Sequence, residues 1–261
     1  MRHRWLQLVA LVSPVAIVTA AAQPSPKTGA DVLQRMHDAY AGKWYKTLTF
    51  VQKTTIRRRD GTDTVNTWYE SLRHTDAHGT QLRIDADLAA GNGVLYTADS
   101  SWVVRAGKLV ATRASGNEFL PLIEGVYVQP VARTVKELDS AKIDMSRVTR
   151  GEWKGRPAWI VGASSTADTT STQFWVDVER NVVVRMLLSP SPNVPVLDIH
   201  LDGYVPLAGG WLATKIMMTE GGKPRQGEDY SDWKANVKLD DALFSVEKWG
   251  EAKHWAKAGT P

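Results

Sequence analysis

The stretch from Thr172 to Trp233 does most to constrain the fold, because one strand-like run follows another with little between them. Gln173 to Val178 leads to the turn-like Glu179-Arg180-Asn181, and Val182 to Leu188 leads back. Val196 to Tyr204 and Trp211 to Glu220 follow, then a more polar run to Trp233. Long strands joined by short turns build a large antiparallel sheet. Such a sheet cannot leave an apolar face in water. It closes, stacks on a second sheet or is covered by helices.

The upstream chain adds strands and only two helical pieces. Thr28-Gly29-Ala30-Asp31 has the form of a capped helix start. Leu33, Met36 and Tyr40 recur on one helical face, which predicts a helix over Gly29 to Ala41, stopped at Gly42. The period then becomes two. Leu48, Phe50, Gln52, Thr54 and Ile56 share one strand face, and Asp60-Gly61 marks a hairpin turn. On the return strand, Thr64 to Leu72, Trp68, Glu70 and Leu72 lie on one side and Val65, Thr67 and Tyr69 on the other. Gly79 opens a strand with Leu82, Ile84 and Ala86 in phase, and shorter runs follow at Gly93 to Thr97, Ser101 to Arg105 and Leu109 to Arg113. Residues 116–142 break the rhythm with an apolar cluster around Pro121 and a helix-like Val131 to Leu138. Strands resume at Met145 to Trp153 and Ala158 to Val161, and Leu239 to Phe244 reads as a final helical turn. The helical pieces are too few to coat both faces of so many strands. The inventory predicts one domain over residues 23–261, mainly β: a large curved antiparallel sheet, an unclosed half-barrel, covered on its concave side by short helices.

Residues 1–22 have the pattern of a cleaved export leader: basic Arg2, His3 and Arg4, an apolar stretch from Trp5 to Val18, then small residues up to Ala22. That stretch is shorter than the roughly 20 residues a membrane span needs and is interrupted by Gln7, Ser13 and Pro14. The expected location is therefore the periplasm. The sequence contains no cysteine, which removes disulfides, thiolate metal sites, a Cys nucleophile and lipidation on cysteine. Removing Arg2 and Arg4 leaves a formal +2 of the chain's +4, too mild for a nucleic-acid partner. Tryptophan is abundant, 11 in all, and so much indole belongs in a core, a cavity or an interface.

In order and spacing, several segments together resemble the LolA/LolB-type periplasmic lipoprotein-carrier superfamily. They are the short helix with Thr47 to Gln52, Leu82-Arg83-Ile84-Asp85, the strand pair around Ser101 to Val104, and Phe174 to Asp177 leading to Val184-Arg185-Met186. Tyr230 to Lys234 and Leu239 to Phe244 complete the set. The resemblance implies an unclosed barrel with helices as a lid and a hydrophobic cavity for acyl chains. It further implies a carrier or sensor without cofactor or covalent chemistry. Arg73, followed here by His74 where such carriers often have proline, is the position the resemblance assigns to bracing the lid. The Asp-Gly-Lys turn of such carriers is Asp99-Ser100-Ser101 here, and the lipid anchor of LolB-type receptors has no cysteine to carry it.

A cavity reading selects Phe50, Leu82, Ile84, Trp102, Trp175 and Met186 as ligand-binding, with Arg73 beside them. Acyl methylenes contribute about 0.8 kcal/mol each on burial, so no charged contact is required. The competing reading is that these residues fill a closed core. Asp198, His200 and Asp202 share a strand face and have the right ligand types for a divalent metal, but opposite Leu197, Ile199 and Leu201 they read as a solvent face. His74 and His78 would suit zinc on a helix, yet their surroundings read as loop. Asp85 and Asp87 read as surface carboxylates rather than an acid/base pair. Lys53, Arg57, Arg58 and Arg59 flank a hairpin tip, where they solvate a β-end or touch anionic headgroups. The leading expectation is a monomeric periplasmic carrier for a lipid or acylated lipoprotein, with transient contact to a membrane or membrane receptor. A sensory or interaction domain with a self-filled cavity is the alternative, and a metal-dependent enzyme the third.

Overall fold

In the computed structural model, which describes residues 24–189 and 194–257, the chain opens with helix α1, Gly29–Tyr40. The expected leader lies outside the described residues. Thr28 Oγ1 accepts from Asp31 N at 3.2 Å while Asp31 Oδ2 accepts from Thr28 N at 2.8 Å, so the helix start is closed reciprocally. Six strands then run up and down: β1 Thr47–Arg57, β2 Asp63–Thr75, β3 Gly79–Asp87, β4 Asn92–Tyr96, β5 Ser101–Arg105 and β6 Lys108–Arg113. The excursion around Pro121 becomes a π-helical turn, Pro121–Gly125, then α2 Val126–Val128 and α3 Val131–Glu137. The remaining strands are β7 Val148–Trp153, β8 Arg156–Val161, β9 Gln173–Asp177, β10 Val183–Leu188, β11 Leu197–Asp202, β12 Val205–Leu207, β13 Gly210–Leu212, β14 Lys215–Glu220 and β15 Lys223–Ala235.

Thirteen of these strands form a single antiparallel sheet in the order β6-β5-β4-β3-β2-β1-β15-β14-β11-β10-β9-β8-β7. The two halves of the chain meet where β1 pairs with β15, Gln52 lying opposite both Trp68 and Tyr230. The outermost strands, β6 and β7, are not paired to each other, so the sheet is an unclosed half-barrel. Its concave face carries the main core, which takes in Val32, Leu33 and Met36 of α1 together with Leu120, Leu122 and Val126 of the excursion.

The run read as one strand from Trp211 to Glu220 is two strands. β12 and β13 form a separate hairpin, and Ala213 and Thr214 belong to neither β13 nor β14. Close packing explains the departure. A Cβ on Gly210 would sit 2.5 Å from the Trp44 ring, so glycine lets the hairpin fold onto that indole instead of continuing in the sheet.

A second, smaller cluster lies under the C-terminal segment. Leu95 and Val104 of the sheet pack against Leu243, Phe244 and Trp249. The buried Arg83 guanidinium lies 3.6 Å from the Trp249 ring centroid and holds Asp85 through two bonds of 2.6 and 2.8 Å. His254 Nε2 is 3.1 Å from the same carboxylate. The segment beyond β15 is thus strapped to the opposite face of the sheet from the helices.

Candidate functional site: an apolar cavity with buried carboxyls

Between the concave face and the helices lies a cavity of about 360 Å³. That is within the roughly 300–1,000 Å³ of small-molecule sites. Strand alternation supplies one wall: Leu48 and Phe50 from β1, Leu72 from β2, Leu82 and Ile84 from β3, Ile199 and Leu201 from β11. Phe119, Leu120, Ile123 and Tyr127 close it from the excursion, and Trp211 and Leu212 from the β12–β13 hairpin.

The closing elements are tied to one another by aromatic rings. Tyr127 stacks on Trp44 with centroids 3.8 Å apart, and Tyr40 meets both edge-on at 5.1 and 5.5 Å. His37 Nδ1 lies 2.9 Å from the Val126 carbonyl, joining α1 to α2. Glu124 fastens the π-helical turn to the chain entering β1, because its carboxylate accepts from Trp44 Nε1 at 3.1 Å and from the Tyr45 hydroxyl at 2.8 Å. Burial raises the Glu124 carboxyl from its ordinary 4.5 to about 7, although the Trp44 and Tyr45 hydrogen bonds pull the other way.

Three of the residues chosen from the sequence, Phe50, Leu82 and Ile84, come together on this wall. The other four do not line it. Trp175 is 3 % exposed but points to the opposite face, where its indole donates to Gln173 Oε1 at 2.8 Å, meets Trp153 at 5.8 Å and lies 4.9 Å from the Arg185 guanidinium. Choosing it mistook strand parity, since Phe174 and Val176 take the inward positions. Trp102 packs against the C-terminal cluster. Met186 is buried in the main core beside Phe174 and Ile199, away from the void. Arg73 does not reach the lid. It pairs with Asp241 at 2.6 Å, with Gln81 at 2.9 Å, and lies over the Phe244 ring at 4.2 Å, so it pins the C-terminal turn.

Most of the polar groups weighed as alternatives have structural partners. Arg185 holds Asp198 through bonds of 2.9 and 2.8 Å, and His200 Nε2 lies 3.1 Å from that carboxylate. Burial alone would raise the Asp198 carboxyl, but these contacts outweigh it and hold the group well below the carboxylate range. Lys154 takes Asp202 at 2.7 Å. Among the described residues no group of three or more His, Asp or Glu is placed to hold a metal. His74 sits in β2, 3.3 Å from Thr80 Oγ1, and His78 in the turn beyond it. Asp85 is the buried partner of Arg83 and His254, whereas Asp87 accepts from Ala90 N, so the two do not act as a pair. At the β1–β2 tip, Arg57 pairs with Asp63, while Arg58 and Arg59 are exposed.

Missing from the sequence reading are three carboxyls facing a mainly apolar space: Glu70, Glu124 and Glu228. Glu70 had a signal, its phase with Trp68 and Leu72 on β2. Glu228 had none, because β15 looks polar throughout.

No family model matches the chain, and no curated protein matches it. Solved structures do. A DUF1329 family protein from Desulfovibrio piger superposes with a TM-score of 0.55 at 16% identity, over 83% of this chain and 95% of that one. A putative outer membrane lipoprotein-sorting protein domain from Vibrio parahaemolyticus gives 0.61 at 10% identity, over 85% and 98%. A LolA superfamily protein from Nitrosomonas europaea gives 0.51 at 12% identity, over 84% and 97%. The fold is therefore LolA-like: an unclosed antiparallel half-barrel with its concave side under short helices.

Proposed function

We propose that this protein is a periplasmic, non-enzymatic carrier that holds a lipid, or the acyl chains of a lipoprotein, in the cavity between the sheet and the helices. The observation that supports this most is the void itself. Side chains leave about 360 Å³ unfilled where a self-sufficient core would be packed to a density of about 0.75. Its lining is chiefly Leu, Ile, Phe and Trp, and each buried methylene contributes about 0.8 kcal/mol without help from a specific polar contact. The likeness in fold to a lipoprotein-sorting domain points the same way.

Loading would need the lid to move, and the contacts support the π-helical turn and α2 as the moving part. The π-helical turn and α2 are held by Glu124 and by the stack of Tyr127 on Trp44 rather than by sheet hydrogen bonds. Loosening that fastening exposes Leu120 and Ile123 and opens a route to the wall formed by Leu82 and Ile84. A membrane or membrane-bound receptor is the proposed source or acceptor, with the basic β1–β2 tip as a contact. Cleavage of residues 1–22 would release the carrier without an acyl anchor.

Uptake of an uncharged fluorescent long-chain ester tests this. Saturable binding at about one probe per chain is expected, lost in Phe50→Glu protein whose fold is verified by circular dichroism. No uptake by the folded wild-type protein would overturn the carrier reading in favour of a self-contained interaction domain.

A further inference from the structure

We propose that one end of the cavity is a headgroup subsite for an amine, so that the preferred ligand is an amphiphile carrying an ammonium group. This rests on the reading of the cavity as an amphiphile site. Glu70 lines the cavity, is only 2 % exposed, and its Oε1 has no hydrogen-bond partner. An unpartnered buried carboxyl oxygen is costly, and native proteins keep such groups where something else supplies the partner. The register sets its surroundings. Glu70 lies opposite Phe50 on β1 and Ile84 on β3, and Glu228 comes from β15 on the far side of β1. Glu228 accepts from the Tyr230 hydroxyl at 2.7 Å and from Gln226 Nε2 at 2.6 Å, so it is already held in place, while Glu70 is free to receive.

The charge balance selects the ligand. No lysine, arginine or histidine lines the cavity among the described residues. The titratable groups around Glu70 are Glu228, Tyr230 and Tyr96, all acidic. A carboxylate or phosphate headgroup would meet only acidic groups and find no cation to offset its charge. An ammonium brings donors only, as many as three for a primary amine, to acceptors that lack them. Rings of the type that favour a cation stand alongside: Trp68 lines the same wall, and Phe50 and Tyr230 pack with centroids 4.6 Å apart. Leu72, Leu82 and Leu201 continue the cavity for the alkyl chain.

Decylamine, 1-decanol and decanoate, below their micellar concentrations, provide a matched series for displacing the uncharged fluorescent ester at neutral pH. The amine is expected to bind about tenfold or more tightly than the alcohol, as a charge-assisted hydrogen bond would give, and decanoate more weakly than either. Glu70→Gln keeps the shape, and its fold is verified by circular dichroism. It should bring the amine to the level of the alcohol, with each affinity taken relative to the ester's own affinity for the same variant. Equal affinity of amine and alcohol in wild type, or a preference for the amine that survives in Glu70→Gln, would overturn the subsite. If the ester itself never binds, the carrier reading fails first, and the two failures are distinguishable.

Discussion

Glu124→Gln should remove one share of the stability that the wild-type protein loses as pH rises. Glu124 fastens the lid from a position that is 8 % exposed, and burial lifts its carboxyl from the ordinary 4.5 to about 7. Between those two values the folded protein keeps a proton that the unfolded chain releases. The unfolding free energy therefore falls with increasing pH across that window and stays lower above it. At roughly 1.4 kcal/mol per pH unit, the interval corresponds to about 3 kcal/mol at pH 8. Glutamine neither titrates nor carries that desolvation cost, and its carbonyl still accepts from Trp44 or Tyr45. Urea unfolding at pH 4.5, 6, 7 and 8 gives the difference between wild type and variant at each pH. Glu70 and Glu228, whose carboxyls burial also raises, are present in both proteins and largely cancel in that difference. The difference should shift by about 3 kcal/mol in favour of the variant from pH 4.5 to 8, most of it before pH 8. A flat difference, or one that shifts in favour of wild type, would refute the assignment of Glu124 as a strained buried acid.

Trp175→Ala removes the indole that contacts Gln173, Trp153 and Arg185 on the outer face, and should cost about 3 kcal/mol or more in urea unfolding while the folded variant still takes up the ester. Arg83→Ala leaves the Asp85 carboxyl with only His254 beside it and should cost about 3–5 kcal/mol, with faster proteolytic cleavage of the segment around Trp249 as its local signature. Gly93→Ala places a Cβ 2.3 Å from the Ile84 carbonyl and 2.6 Å from the Trp249 ring, so it should lower stability by about 1–3 kcal/mol, read as a lower melting temperature.

The sheet was legible in the sequence because its signals are local. Turn residues bound β1 to β5 and β9 to β11, with β2 running three residues past the expected Leu72; period-two alternation marks β1 to β3, and Thr28 with Asp31 marks the start of α1. The β12–β13 hairpin was not legible, because it depends on Trp44 meeting Gly210 across more than 160 positions of sequence. The same holds for the site. Phe50, Leu82 and Ile84 sit on strands whose phase is unambiguous, and they reach the cavity. Trp175 lies in β9, where all five residues are buried and no polar face reports the parity. Arg73 was assigned to the lid by resemblance alone, and nothing local announces that Asp241, far along the chain, returns to take it. Glu70 and Glu228 escaped because a glutamate on a strand reads as solvent-facing until its neighbours across the sheet are known, and Glu124 because its segment read only as an apolar excursion.

Native mass spectrometry of the protein isolated from cell envelopes without detergent bears on whether the cavity is a ligand site at all. The expected spectrum shows the chain with one non-covalent adduct of lipid mass, stripped by gentle activation and absent from folded Phe50→Glu protein. A bare chain in every preparation, or an adduct carried equally by Phe50→Glu, would contradict the assignment of this cavity as the place where a lipid is held.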